Sequence, residues 1–290
     1  MRRIDLHMHT THSDGSYAPA TLMRFCKDKG LACVSVTDHD TMSGVEEAER
    51  EAKQLGIEMI PGVEISAQFN PGTLHILGYF IDPNHPKLKT VFGEIQKARR
   101  ERNPLIIKKL NDLGIDITME EVVEEACQSG EEVSEKQIGR PHFAKTLIKK
   151  GIVRNHEEAF SRYLTKGQPA YVDKRRVSKE EALQLIHEAG GIAAVAHPKQ
   201  MRLEAGALEK EIEYLAALGL DAMEVYSSCQ NRKESKIYRK IAKRFDLVET
   251  GGSDFHGTNN PGVDLGYLGE GVELDYKVIE ALKNKVQRIN

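Results

Sequence analysis

The sequence predicts an α/β fold: a largely parallel sheet of βα units, with a helical cap inserted between its fourth and fifth strands. Three observations carry that expectation. Strand-like runs alternate with helix-like runs of period 3.6, glycines close the helical runs, and about ninety consecutive residues keep helical periodicity with no strand among them. The strand-like runs are residues 2–7, 31–37 (LACVSVT), 57–65 (IEMIPGVEI), 73–80 (TLHILGYF), 192–196 (IAAVA), 220–226 (LDAMEVY) and 246–250. Seven such runs are nearly a barrel.

The helical runs are punctuated at both ends. Gly30, Gly56, Gly114, Gly151, Gly190 and Gly219 stand where a left-handed residue closes a helix. Capping boxes are legible at Thr118 with Glu121, Asn155 with Glu158, and Ser178 with Glu181, the last opening a helix that ends at Glu188 or Ala189. The strandless stretch is too long for a plain connection. It divides the chain into a barrel of residues 1–88 and 177–290 and an inserted helical cap subdomain of residues 89–176.

Composition narrows the class. Apolar residues are 40% of the 290, charged residues 29%, and the net charge is −3, which excludes a disordered chain and gives no membrane span. Arg2 and Arg3 are not followed by the apolar run of a secretory signal, so a cytoplasmic protein is expected. Cys26, Cys33, Cys127 and Cys229 lie far apart without CxxC spacing, as scattered thiols do in a reducing compartment. The cap holds 18 Lys and Arg against 14 Asp and Glu, a net +4 that leaves −7 on the barrel. A basic lid over an acidic base draws in anionic substrates.

The chemistry begins in "IDLHMHTTHSDG", residues 4–15. Side chains at i and i+2 of a strand share a face, so His7 and His9 project together as a chelating pair. An HxH pair alone is more often a hydrogen-bonded structural feature, and its meaning depends on company. His39 stands in "TDHD" past the second strand, Glu64 ends the third, His197 follows the fifth in "VAHP", and Asp254 and His256 follow the seventh in "GGSDFHG". Residues at the carboxyl ends of parallel strands converge on one rim. His75 starts its run instead of following it, so it belongs only if its strand runs the other way or begins at the rim.

With Asp14, these make six imidazoles, three carboxylates and no thiolate, a set for Mn²⁺, Fe²⁺ or Zn²⁺ and not for an all-oxygen Ca²⁺ cage. Nine ligands serve two or three ions when each open catalytic ion takes three or four. Three divalent ions against three carboxylates leave a charge of about +3 among neutral histidines, and such a site takes phosphate.

In this order, HxH, SDG, TDHD, a strand-ending glutamate, a later histidine, "AHP" and "SDFH", the motifs resemble those of the PHP (polymerase and histidinol phosphatase) superfamily of metal-dependent phosphoesterases. They cover residues 4–80 and 192–257. The TDHD segment and "GRPHFA" (139–144) resemble most the bacterial branch of nucleoside 3′,5′-bisphosphate and nucleotide phosphatases, which includes enzymes trimming short RNA from the 5′ end. The resemblance implies a distorted seven-stranded βα, TIM-like barrel with a trinuclear centre, loaded with Mn²⁺ before Zn²⁺ or Fe²⁺. Carried over by position, His7, His9, Glu64 and Asp254 hold one ion, Glu64 bridges to a second held by His75 and His197, and Asp14, His39 and His256 hold a third. His12 competes with Asp14 for the last place. A hydroxide bridging two ions would attack phosphorus in line, with His7, His9, Glu64, His197 and Asp254 as the catalytic set.

Arginine forks suit phosphate oxygens, so Arg99, Arg102 and Arg140, with His142, are candidates to grip a second phosphate or the leaving nucleoside, and Lys199 and Arg202 stand where they could reach the rim. Arg100, Lys108 and Lys109 read as the solvated face of a helix kinked at Pro104, and "KRR" at 174–176 as an exposed loop. Asp38 and Asp40 either orient His39 or serve the turn. Glu224 and Tyr226, with Ser227 and Ser228 beyond, fall at the same rim as possible substrate contacts, whereas His85, His156 and His187 are read as incidental. The expected partner is a phosphorylated nucleotide or short oligonucleotide; aromatics are 6%, and no stacking stripe in a basic groove points to reading of nucleic-acid sequence. Three other readings compete: a histidinol phosphate phosphatase, an amidohydrolase-type hydrolase, and a catalytically inactive module of the same fold.

Overall fold

A computed structural model describes residues 2–127, 138–173, 176–269 and 271–289. Strands β1 (Arg3–Met8), β2 (Cys33–Val36) and β3 (Glu58–Ala67) are joined by α1 (Pro19–Asp28) and α2 (Val45–Leu55). After β4 (Leu74–Tyr79) come α3 (Pro86–Asp112), α4 (Met119–Ala126), α5 (Arg140–Lys149) and α6 (His156–Ala159), the last running into a π-helical turn at Phe160–Leu164. The chain returns through α7 (Lys179–Glu188), β5 (Ile192–Val195), α8 (Ala205–Ala217), β6 (Ala222–Ser227), α9 (Arg232–Arg244) and β7 (Val248–Gly252). It finishes with β8 (Leu274–Asp275) and α10 (Lys277–Ile289).

Sequence punctuation explains the helix ends. The six glycines expected to close helices all take positive φ, from 69° to 101°. Thr118 and Glu121 form a reciprocal capping box, while Asn155 and Ser178 accept from the amides of Glu158 and Glu181 without the return bond. A further box at Asn231 with Glu234 opens α9.

The sheet runs β7-β6-β5-β4-β3-β2-β1-β8. It has eight strands where seven were expected, because β8 is only two residues long, too short to leave a periodic signal; it lies antiparallel on β1. β4 also runs antiparallel to both β3 and β5, while the remaining neighbouring pairs, β1 with β2, β2 with β3, β5 with β6 and β6 with β7, are parallel. The barrel closes where the end of β1 meets the segment after β7: Asp254 N donates to His7 O and His9 N to Phe255 O, each at 2.9 Å. Gly252 permits that approach, since a Cβ there would stand 2.2 Å from His7 Cβ.

Strand alternation sorts the side chains. Ile4 and Leu6 share an apolar cluster with Ile279 and Leu282 of α10, while Val63, Ile65, Met223 and Val225 pack with residues of α7, α8 and α9. Burying each such side chain contributes roughly 1.5–3 kcal/mol. In the first cluster Leu77 and Ala222 share a strand phase with His75 and Glu224, so that phase turns polar only toward the rim, while the second cluster is the layer against the helices. Leu88, Val91, Phe92 and Ile95 tie the first half of α3 to that layer. A separate cluster, including Ile106, Leu110, Val122, Phe143 and Leu147, forms the core of the helices beyond.

Candidate metal centre

The inner phase of the strands brings His7, Glu64, His75 and Glu224 together, and the segments after β1, β2, β5 and β7 add His9, Asp14, His39, His197, Asp254 and His256. Glu64 is the hub. Its Oε2 lies 3.2 Å from the Nε2 atoms of both His7 and His9 and 3.1 Å from His39 Nδ1. Its Oε1 lies 2.7 Å from His75 Nδ1 and 2.9 Å from His197 Nε2. Asp254 Oδ1 is 3.3 and 3.2 Å from the same two Nε2 atoms, and Asp14 Oδ1 is 3.3 Å from His256 Nε2. Bonds of 2.0–2.1 Å to one ion put tetrahedral ligands about 3.3 Å apart, so the separations of 3.1–3.3 Å match the edge of a coordination polyhedron, while those of 2.7 and 2.9 Å are hydrogen-bond lengths.

Three groups have ligand atoms within 4.8 Å of one another: His7, His9, Glu64 and Asp254; His39, Glu64 and His75; and His9, Asp14, His39 and His256. The first coincides with the set the resemblance assigns to one ion. The others differ in detail, since His9 joins the third and His39 takes the place beside Glu64 and His75 that His197 was expected to fill. Asp14 sits with the histidines, whereas His12 Nδ1 bonds Ser43 Oγ at 2.6 Å and falls in none of the groups.

The donor chemistry fits a divalent metal. His7 Nε2, His9 Nε2, His39 Nδ1, Asp14 Oδ1 and Glu64 Oε2 are buried without any hydrogen-bond partner, an arrangement that costs free energy unless a cation meets them. Burial works against charge on Glu64, Asp14 and Asp254, yet the surrounding imidazoles outweigh it and hold all three carboxyls well below the usual range. Burial likewise opposes protonation of His9, but the carboxylates of Asp254 and Glu64, each 3.2 Å from its Nε2, push it up to about 10. Burial drives His39 down to about 3. The carboxylates therefore demand positive charge, and protons on His9 supply part of it when metal does not.

The ligands are held by local bonds. Asp38 fixes the turn after β1, accepting from Thr10 N (2.8 Å) and from the hydroxyls of Thr10 and Ser13 (2.6 Å each). Asp40 accepts from Ser66 N at 2.9 Å and Arg99 Nη2 at 3.0 Å, so of the two roles open to these aspartates the turn is the one seen. His197 and Asp254 have φ of 22° and 57°, conformations that cost about 1–3 kcal/mol outside glycine and cluster at functional sites. Glu224, a possible substrate contact on sequence alone, is fully buried and faces His7 instead.

Asp14, His39 and His75 also border a cavity of about 430 Å³. Its far wall carries Arg99, Arg102, Arg140, Arg176 and Arg202. Arg102 is 4% exposed, its Nε has no partner, and burial together with Arg99, Arg140 and Arg176 pushes its guanidinium down to about 9. The expected loop at 174–176 is corrected for Arg176: Val177 bridges to Ala67 and Gln68 Nε2 donates to Arg176 O, which draws that residue into the wall. Lys174 and Arg175 lie outside the described residues. Lys199 does not line the cavity but donates to Cys229 O and pairs with Glu234. His142 is likewise absent from the wall, and its Nδ1 accepts from Gly139 N at 3.0 Å. Phe69, Phe160 and Tyr171, from three separate segments, bring aromatic rings to this basic cavity, though the sequence shows no stripe. Lys108 is an exposed i,i+4 partner of Asp112. His85, His156 and His187 stand outside the ligand groups.

A family model described as the PHP domain matches residues 5–225. The chain belongs to the PHP domain family. The resemblance read from the motifs is thereby borne out, and Asp254 and His256 of this PHP protein lie beyond the matched span. A 5′-3′ exoribonuclease of Haemophilus influenzae is 36% identical over 256 residues, 88% of this chain and 90% of its own. A 3′,5′-nucleoside bisphosphate phosphatase of Chromobacterium violaceum is 33% identical, with 92% of each chain covered. Among solved structures, an amidohydrolase from Chromobacterium violaceum with bound sulfate and no metal matches with a TM-score of 0.84 at 30% identity, covering 98% of this chain and 96% of that one.

Proposed function

We propose that this PHP protein is a metal-dependent phosphoesterase that hydrolyses phosphomonoesters of nucleotides: nucleoside 3′,5′-bisphosphates, nucleoside monophosphates and the 5′ ends of short RNA. The observation that carries the reading is adjacency, because Asp14, His39 and His75 belong both to the ligand groups and to the wall of an arginine-lined cavity. The names of the two relatives support the same chemistry.

In this reading His7, His9, Asp14, His39, Glu64, His75, His197, Asp254 and His256 hold three ions, Mn²⁺ before Zn²⁺ or Fe²⁺. Bound there, the ions lower the pKa of water and neutralise charge growing on phosphoryl oxygens. Glu64 and Asp254, both ionised, would supply the negative charge that holds them. Arg102 and Arg140 line the cavity, neither with an ion pair among the described residues, and bind the second phosphate, while α3 and α5, which carry them, screen the site from bulk water. The tyrosine and phenylalanine rings near Arg140 offer the leaving nucleoside an apolar face; its guanidinium lies 5.4 Å from the Tyr171 ring centre. No helix among the described residues is long and apolar enough to cross a membrane, and Cys26, Cys33 and Cys229 are in no disulfide, so the reading places the reaction in the reducing cytosol.

The complete ligand set argues against an inactive module. A basic cavity suits a phosphoester better than a neutral amide, and it suits a second phosphate better than the cationic amine of histidinol phosphate. Phosphate release with Mn²⁺ from adenosine 3′,5′-bisphosphate, nucleoside monophosphates, 5′-phosphorylated oligoribonucleotides and histidinol phosphate tests the reading, with amides and lactones as controls. The bisphosphate is expected to turn over fastest. Turnover confined to the amides or lactones would replace the proposal with the amidohydrolase reading.

A further inference from the structure

Glu224 belongs to none of the ligand groups and does not line the cavity, yet one of its oxygens is committed to His7, a member of the first group, and the other to His197, whose ring lies against Glu64. Oε1 lies 3.0 Å from His7 Nδ1, and Oε2 accepts the backbone N–H of His197 at 2.6 Å. The carboxylate is 0% exposed. The far nitrogen of His7 points at Glu64 and Asp254, whereas His197 Nε2 points at the other oxygen of Glu64. Thus one buried side chain touches residues on both flanks of the Glu64 carboxylate, and the residue it holds by the backbone carries a φ of 22°.

We infer that Glu224 is a positioning residue that fixes the tautomer of His7 and the backbone of His197 at once, so that a single carboxylate governs metal loading at two neighbouring positions. A neutral imidazole carries one N–H. With that hydrogen on Nδ1 and donated to Glu224, Nε2 keeps its lone pair directed at the cluster, as a ligating histidine requires. An ionised carboxylate only accepts, so it satisfies the imidazole N–H and the peptide N–H together. A glutamine cannot. Its single oxygen takes one of the two donors, and its NH₂ then either clashes with the other or donates to Nδ1, which moves the imidazole hydrogen onto Nε2 and blocks the metal. The inference rests on the reading of His7 and His197 as ligands and goes beyond it in assigning what orients them.

The test compares wild-type protein, Glu224→Gln and Glu224→Asp, each stripped with chelator and titrated with Mn²⁺ and, for its visible spectrum, Co²⁺. Affinity at two of the positions should fall 10- to 100-fold in Glu224→Gln, with an altered Co²⁺ spectrum and a metal-free melting temperature close to that of the wild type. Glu224→Asp keeps the charge but cannot reach both donors, so it should recover part of the loss; it also decides the matter if the glutamine variant fails to fold. Wild-type-like titration of both variants, or an equal loss at every position as from a missing charge, would overturn the assignment. Wild-type protein that takes up no metal would instead sink the metal centre itself, which separates the two failures.

Discussion

Glu64 Oε1 lies 2.7 Å from His75 Nδ1, although Glu64 stands late in β3 and His75 opens β4. The antiparallel register explains it: Ser66 pairs with His75 and Glu64 with Leu77, so the start of one strand reaches the same rim as the end of its neighbour.

Because His75 contributes to the site and not to the apolar clusters, His75→Ala should leave the metal-free melting temperature within about 2 °C of wild type. kcat/KM should fall at least about 100-fold, or about 2.7 kcal/mol, and fewer ions should bind. Full activity after stringent chelation and reloading would remove His75 from the site.

Metal uptake should release protons. His9, pushed up to about 10 by Asp254 and Glu64 against the effect of burial, carries a proton at pH 7.5 that a ligating nitrogen must lose. Calorimetry in two buffers of different ionisation enthalpy should therefore give different heats, and affinity should rise with pH. The stability sign follows from the same shift. With the folded value above the ordinary 6.5, the His9 contribution is full below pH 6.5 and is lost as pH rises through about 10, so the metal-free protein should melt lower across that window.

Arg102 is buried and forms no ion pair among the described residues, a cost that anion binding would offset in the proposed reading. Arg102→Met should raise the melting temperature in anion-free buffer while abolishing the stabilisation given by a nucleoside bisphosphate. KM for the bisphosphate should rise roughly 10- to 100-fold, with a smaller change for a monophosphate. An unchanged KM ratio between the two substrates would dissociate Arg102 from the second phosphate.

A Cβ at Gly252 would overlap His7, so Gly252→Ala should cost about 1–3 kcal/mol or more and lower metal content. Gly93, exposed in α3 with nothing near its absent Cβ, is the control: Gly93→Ala should be neutral or stabilising by about 1 kcal/mol. Thermal melts with elemental analysis check both.

Much of this was legible beforehand because local patterns record local geometry. The alternation at His7 and His9, the closing glycines, and the Thr118, Asn155 and Ser178 caps are all written within a few residues of the features they specify. Glu224 was legible as a residue at the rim but not as a partner of His7, because 217 residues separate them and no spacing encodes that meeting.

By itself the sequence determined the α/β alternation, the types of side chain offered to a metal, and the family to which the chain belongs. The direction of β4, the split of the histidines into overlapping groups, the recruitment of Arg176 into the wall and the meeting of Glu224 with His7 were decided by the tertiary structure. The physical reason is that secondary structure and ligand type are set by neighbours along the chain, whereas the strand pairing and burial that converge them are set by residues far away in it.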